Sequence, residues 1–386
     1  MKEQLDELLG GAIDRGDVPG VVAVTFDRDG LTYEGAFGER VLGSGVDMTV
    51  DTTGAIFSMT KAITGAAAMQ CVERGELSLD TPAGAICPDL ADAQVLEGLA
   101  DDGTPQLRPA STPVTLRHLL THTSGFVYDI WDADFAAYLQ ATGKPSVLSL
   151  QLDALRVPLM FDPGTRWEYG TGIDWAGQMV EAVSGKTLGQ YFQANLFDPL
   201  GMADSGFAPT EAMLSRAAGM HARLPDGGLA PMDLPAPDNP EFEMGGGGLM
   251  STMGDYARFC RMVLNGGELD GTRVMSADTV DLMCTNAMGD IRVQNLVSTN
   301  PAFSNDAEFF PGLEKSWGLT FQINEAEAPT GRPAGGLSWA GLANSYFWID
   351  RTNGIGGAYL TQILPFADHK SIGLFQDFET AVYANQ

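Results

Sequence analysis

Apolar residues at Leu5, Leu8, Leu9 and Ile13 recur at helical spacing through a polar N-terminus and predict an amphipathic helix. The next two apolar stretches have the rhythm of strands. Residues 21–26 (VVAVTF) and 31–37 (LTYEGAF) flank 27–30 (DRDG), which is turn chemistry, so the pair predicts a hairpin. Helical spacing returns over 58–74, with Ile63, Ala66, Ala67 and Val72 facing inward and Gly75 as a stop signal. Between about 80 and 245 lie helical patterns broken by Pro and Gly, among them 116–122 and 173–184. Four glycines at 245–248 then lead into a helix over about 255–264, and the last seventy or so residues return to strand-like runs at 318–323, 346–349, 358–363 and 371–375. Strands at both ends with helices between predict an α/β domain built from 1–80 and 245–386 and a mostly helical domain over 81–244. A cleft between two such units is a natural site.

Length and charge narrow the functions available. The 386 residues, 44% of them apolar, suffice for a large core. Asp and Glu total 50 against 22 Lys and Arg, a formal charge of −28. Such a surface repels phosphate backbones and anionic headgroups, which tells against nucleic acid and membrane partners. No apolar run is long enough for a membrane helix, and the N-terminus has no apolar signal core, so a cytoplasmic protein is expected. Cys71, Cys87, Cys260 and Cys284 stand far apart and are expected as buried small hydrophobes. No segment implies a metal or organic cofactor; His118 and His122 have i,i+4 spacing but no accompanying Glu or third ligand.

The most informative tetrapeptide is Ser58-Met59-Thr60-Lys61. On a helix, i and i+3 share a face, so the hydroxyl and amine can meet. Burial and the helix dipole would favour a neutral, proton-accepting Lys61. The pattern is short, and an N-cap Ser with a solvated Lys would read the same way. Tyr169 follows a Pro-Gly turn at 163–164 and precedes the 173–184 helix; it is either a packed tyrosine or one whose acidity a neighbouring Lys enhances for proton transfer. Residues 335–342 (GGLSWAGL) let backbone approach closely before the strand at Tyr346, which could offer an N–H to a carbonyl. Ser338 stands in a near-match to a nucleophile elbow, but the following segment reads as strand rather than helix.

In this order and spacing, the chain resembles the serine β-lactamase and penicillin-binding superfamily, in particular its class C-like branch with the family VIII carboxylesterases. Residues 116–126 (LRHLLTHTSGF), 245–259 (GGGGLMSTMGDYARF) and 361–365 (TQILP) look like further signatures of that branch. The resemblance implies an antiparallel sheet flanked by helices plus a mostly helical domain, with the site between them. It matches Ser58 to the nucleophile, Lys61 to its motif partner and Tyr169 to the second-motif tyrosine. It also implies an oxyanion hole formed by the backbone N–H groups of Ser58 and Leu342. Two departures carry chemistry. The second motif is Tyr-Gly-Thr and lacks the amide that would contact an amide substrate. Trp339-Ala340-Gly341 stands where β-lactamases carry K-T-G, which removes a cation that would bind a substrate carboxylate. Trp339 and Gly341 are therefore expected at the substrate. Phe126, Tyr128 and Trp131 either line the pocket or form a buried cluster that holds their loop. The expected activity is hydrolysis of small neutral esters of short to medium acyl chain, with weak β-lactam hydrolysis at its side. The alternatives are a β-lactamase or D-amino-acid peptidase, an acyltransferase, and a covalent β-lactam sensor.

Overall fold

The computed structural model describes residues 1–235, 237 and 239–386. Helix α1 (Lys2–Asp14) turns Leu5, Leu9 and Ala12 inward and is followed by the predicted hairpin, β1 (Gly20–Asp27) and β2 (Leu31–Gly38). Helix α2 (Thr60–Glu73) comes next; it is buried without a break from Thr60 to Cys71, with small and apolar residues on most of its surface and the polar Lys61, Thr64 and Gln70 each hydrogen-bonded to backbone carbonyls. Helices α3 (Gly172–Ser184) and α4 (Met253–Leu264) precede five strands: β3 (Lys315–Trp317), β4 (Gln322–Asn324), β5 (Leu337–Gly341), β6 (Ser345–Asp350) and β7 (Ile355–Leu360). Helix α5 (His369–Tyr383) closes the chain.

The seven strands form one antiparallel sheet in the order β3-β4-β5-β6-β7-β1-β2, so the chain's two ends meet where β1 pairs with β7, Val22 opposite Leu360. Strand alternation sorts the side chains of β6. Tyr346 and Trp348 face α5, where they meet Phe375 and Phe378, while Phe347 meets Tyr256 of α4 on the other face. Helices on both faces explain why β1 is an almost continuous apolar run. The chain between α2 and α4 also carries β structure: a hairpin of Gln94–Leu99 with Pro105–Pro109, and the strands His221–Arg223 and Leu229–Pro231, which form a small sheet with Ile363–Leu364 from beyond β7.

Two strand expectations are corrected. Residues 371–375 open α5, whose N-cap Asp368 accepts a hydrogen bond from the Ser371 N–H. The run SIGLF is too short to distinguish helix from strand; its periodicity shows only when Phe378 and Val382 are included. Residues 318–323 straddle the β3–β4 connection, because the Gly318 N–H bonds the Phe321 carbonyl and ends the strand. All four cysteines are free, three buried and Cys284 partly so.

Candidate active site

Ser58 lies in a 3-10 turn (Phe57–Met59) that leads directly into α2. Phe57 before it has φ of 43°, a left-handed conformation that costs a non-glycine residue about 1–3 kcal/mol and is held by its surroundings. Lys61, one turn on, is fully buried. Its Nζ lies 3.1 Å from Ser58 Oγ, 3.0 Å from Tyr128 Oη and 2.6 Å from the Gly246 carbonyl. An ammonium would use all three protons on these partners. A neutral amine keeps a lone pair, and of the three only a hydroxyl, Ser58 or Tyr128, can donate to it. Burial drives Lys61 well toward the neutral form, and the Asp174 carboxyl opposes that.

Tyr169 reaches the site from the segment just before α3. The Trp339 Nε1–H donates to its oxygen at 2.9 Å, and its hydroxyl also borders Ser58. The Lys61 ammonium position lies 4.6 Å from the Tyr169 ring centre. Burial outweighs its hydrogen bonds and raises the Tyr169 pKa above the ordinary phenol value, which favours a neutral phenol with a proton to give. His122, at φ 57°, packs behind it with ring centres 4.6 Å apart, and its Nδ1 accepts the Gly170 N–H. Burial and the nearby Lys61 lower the His122 pKa well below the ordinary histidine value, which keeps this ring neutral.

Strand β5 forms the facing wall. Trp339 pairs with Phe347 in the sheet, and Gly341 passes so close to the Ser58 turn that a Cβ there would lie 2.3 Å from the Ile56 carbonyl oxygen. Ser58, Trp131, Tyr169, Trp339, Gly341 and Leu342 line one small pocket with Ala340 and Phe366. An open groove of about 820 Å³ continues from Trp131 and Tyr169 past Arg166, Trp167, Ile291 and Leu296. Tyr128 stands behind the pocket, on Lys61. Phe126 lies apart from it; its ring is buried and packs toward Trp175, with centres 6.2 Å apart. Ser338 sits within β5, paired with Trp348 and Gln322, without a helix after it.

Several residues at the site lay outside the sequence reading. Phe366 borders the pocket, Trp317 stacks edge-on to Trp339, and Gly246 supplies a carbonyl to Lys61. Asp174 is 1% exposed, in the first turn of α3. An acidic residue there reads from sequence as ordinary support for a helix N-terminus. Only the burial of that turn sets it apart.

The Beta-lactamase family model matches residues 5–379. A lovastatin esterase of Penicillium rubens is 33% identical, covering 98% of both chains. A monacolin J acid methylbutanoyltransferase of Aspergillus terreus is 32% identical over 97% of this chain and 93% of its own length. The unliganded simvastatin synthase LovD of Aspergillus terreus superposes with a TM-score of 0.88 at 30% identity, over 99% of this chain and 98% of that one. The antiparallel sheet with its flanking helices, the S-x-x-K turn and these matches together establish that the chain belongs to the beta-lactamase family of serine enzymes.

Proposed function

We propose that this chain is a serine esterase that hydrolyses neutral carboxylic esters of short to medium acyl chain through an acyl-enzyme on Ser58. The observation that carries this reading is the Ser58 hydroxyl 3.1 Å from a fully buried Lys61, beside Tyr169 and Trp339. Ser58 Oγ bonds to the ester carbonyl carbon while its proton passes to neutral Lys61. The N–H groups of Ser58 and Leu342 hold the oxyanion. Collapse breaks the carbon–oxygen bond, Tyr169 gives its proton to the departing alkoxide, and the Lys61 ammonium returns to the Tyr169 oxygen the proton it took from Ser58. Water then releases the acid by the same transfers in reverse. Neutral substrates are favoured because the small pocket at Ser58 is lined by no Lys or Arg among the described residues, Arg166 and Arg292 standing only along the outer groove. The site sits between the proposed α/β unit of 1–80 with 245–386 and the helical unit of 81–244.

Initial rates on a short-chain aryl ester test the reading. Ser58→Ala should lower kcat/KM by on the order of 10³ or more, as loss of a nucleophile does. Wild-type rates in that variant would overturn it.

Acyl transfer to an alcohol is the second reading, and the 820 Å³ groove beside Tyr169 and Trp131 favours it. The groove has room for an acceptor much larger than water, and several similar proteins carry transferase names. Product analysis with a bulky alcohol added separates transfer from hydrolysis. Acylation by a β-lactam without release would instead favour the sensor.

A further inference from the structure

We propose that Asp174 is the counter-charge of Lys61, a positioning residue that holds the lysine at Ser58 through the Gly245–Gly246 strap and stabilises the ammonium formed when Ser58 attacks. This inference rests on the assignment of Ser58 and Lys61 as the reacting pair.

The strap joins α2 to α3 by three hydrogen bonds. Thr64 Oγ1 donates to the Gly245 carbonyl at 2.7 Å, Lys61 Nζ to the Gly246 carbonyl at 2.6 Å, and the Gly246 N–H to Asp174 Oδ1 at 2.9 Å. The approach is close enough to demand glycine: a Cβ on Gly246 would lie 2.6 Å from Asp174 Oδ2. That second carboxyl oxygen is buried and has no hydrogen-bond partner among the described residues. A carboxylate left so in the interior is costly unless a cation compensates it. Among the described residues, Lys61 is the cation whose charge the carboxyl feels, and each shifts the other toward its charged form against the pull of burial.

The other titratable groups facing the pair do not replace either partner. Tyr128 and Tyr169 both feel the Asp174 charge, and their pKa values are raised, so both stay neutral. His122, on the lysine side, is held neutral as well. Asp129 acts on Tyr128 rather than on the pair. The alternative role for Asp174, supporting the N-terminus of α3, involves neither Lys61 nor its proton.

Asp174→Asn distinguishes the two, because the amide keeps an oxygen for the Gly246 N–H and removes only the charge. Without the carboxylate, burial acts on the ammonium unopposed, so Lys61 loses its proton at lower pH. The acid limb of kcat/KM, which reports the free enzyme's base, should move down by about one pH unit or more. The plateau should fall roughly tenfold, because the ammonium formed during attack has lost its partner. The ¹³Cε resonance of Lys61, one of only six lysines in the chain, should titrate lower in step. An acid limb and a Lys61 titration that both stay in place would overturn the proposal, however much the activity fell. Should the wild type turn over no ester, the function reading fails on its own, and the Lys61 titration in the two proteins still decides this one. If Asp174→Asn does not fold, Asp174→Ser makes the same comparison with a hydroxyl in place of the amide.

Discussion

At the scale of single residues, the site is governed by how many partners each polar atom has. Tyr169 Oη accepts from Trp339, so its own proton points toward the nucleophile side. Trp339→Phe keeps the aromatic wall and deletes that one donor. The loss of about 1 kcal/mol expected for one hydrogen bond predicts a kcat/KM lower by roughly fivefold, with KM little changed. Steady-state kinetics on the ester used for Ser58→Ala checks this; an unchanged kcat would mean that Tyr169 needs no orienting partner. Tyr128 shows what sequence alone leaves open. It was legible as one of a cluster of aromatics after His122, either in the pocket or in the core. The structure buries it in an aromatic cluster with Trp131 and Tyr169 and adds a contact neither alternative held, its hydroxyl 3.0 Å from Lys61 Nζ. No periodicity within its own loop could reveal that, because the partner lies 67 residues away.

At the scale of elements, three segments distant in the chain set the pocket: the turn before α2, strand β5 and the 164–171 stretch ahead of α3. Gly341 is where the first two touch. A methyl group there would lie 2.3 Å from both the Ile56 carbonyl oxygen and Ser345 Oγ, so β5 or the Ser58 turn must shift. Gly341→Ala should cost about 1–3 kcal/mol of stability, the usual range for overpacking, and should cut activity more than Trp339→Phe does. Thermal melts and rates on the same preparation test this, and a variant with wild-type values for both would refute the close approach. The glycines of 335–342 and 245–248 were legible as places of close backbone approach or flexibility. What they approach was not legible. The strand expected over 371–375 failed for a related reason: five residues hold too little periodicity, and α5 takes its direction from Tyr346, Trp348 and Tyr359 on the sheet beneath.

At the scale of the whole molecule, a formal charge of −28 sets the background on which every local interaction acts. Like charges over the surface repel, and salt screens that repulsion within a Debye length of about 10 Å at 0.1 M. The melting temperature should therefore rise by a few degrees between low and moderate NaCl; a fall would mean that the surface ion pairs outweigh the net repulsion. Composition, charge and hydrophobic period are properties of the chain itself. They determined the hairpin, the helical core segment and a sheet drawn from both ends, whereas its antiparallel order and the site roles of Ser58, Lys61 and Tyr169 were expectations of the family resemblance. Tertiary structure alone decided the rest: the Gly246 strap, Asp174 beside Lys61, the neutral phenol of Tyr169, and the removal of Phe126 from the pocket. The reason is physical. A motif needs only near neighbours on one helix, whereas burial and charge at a point depend on everything that packs around it, and those groups come from α2, α3, β5 and two loops that meet only in the folded chain.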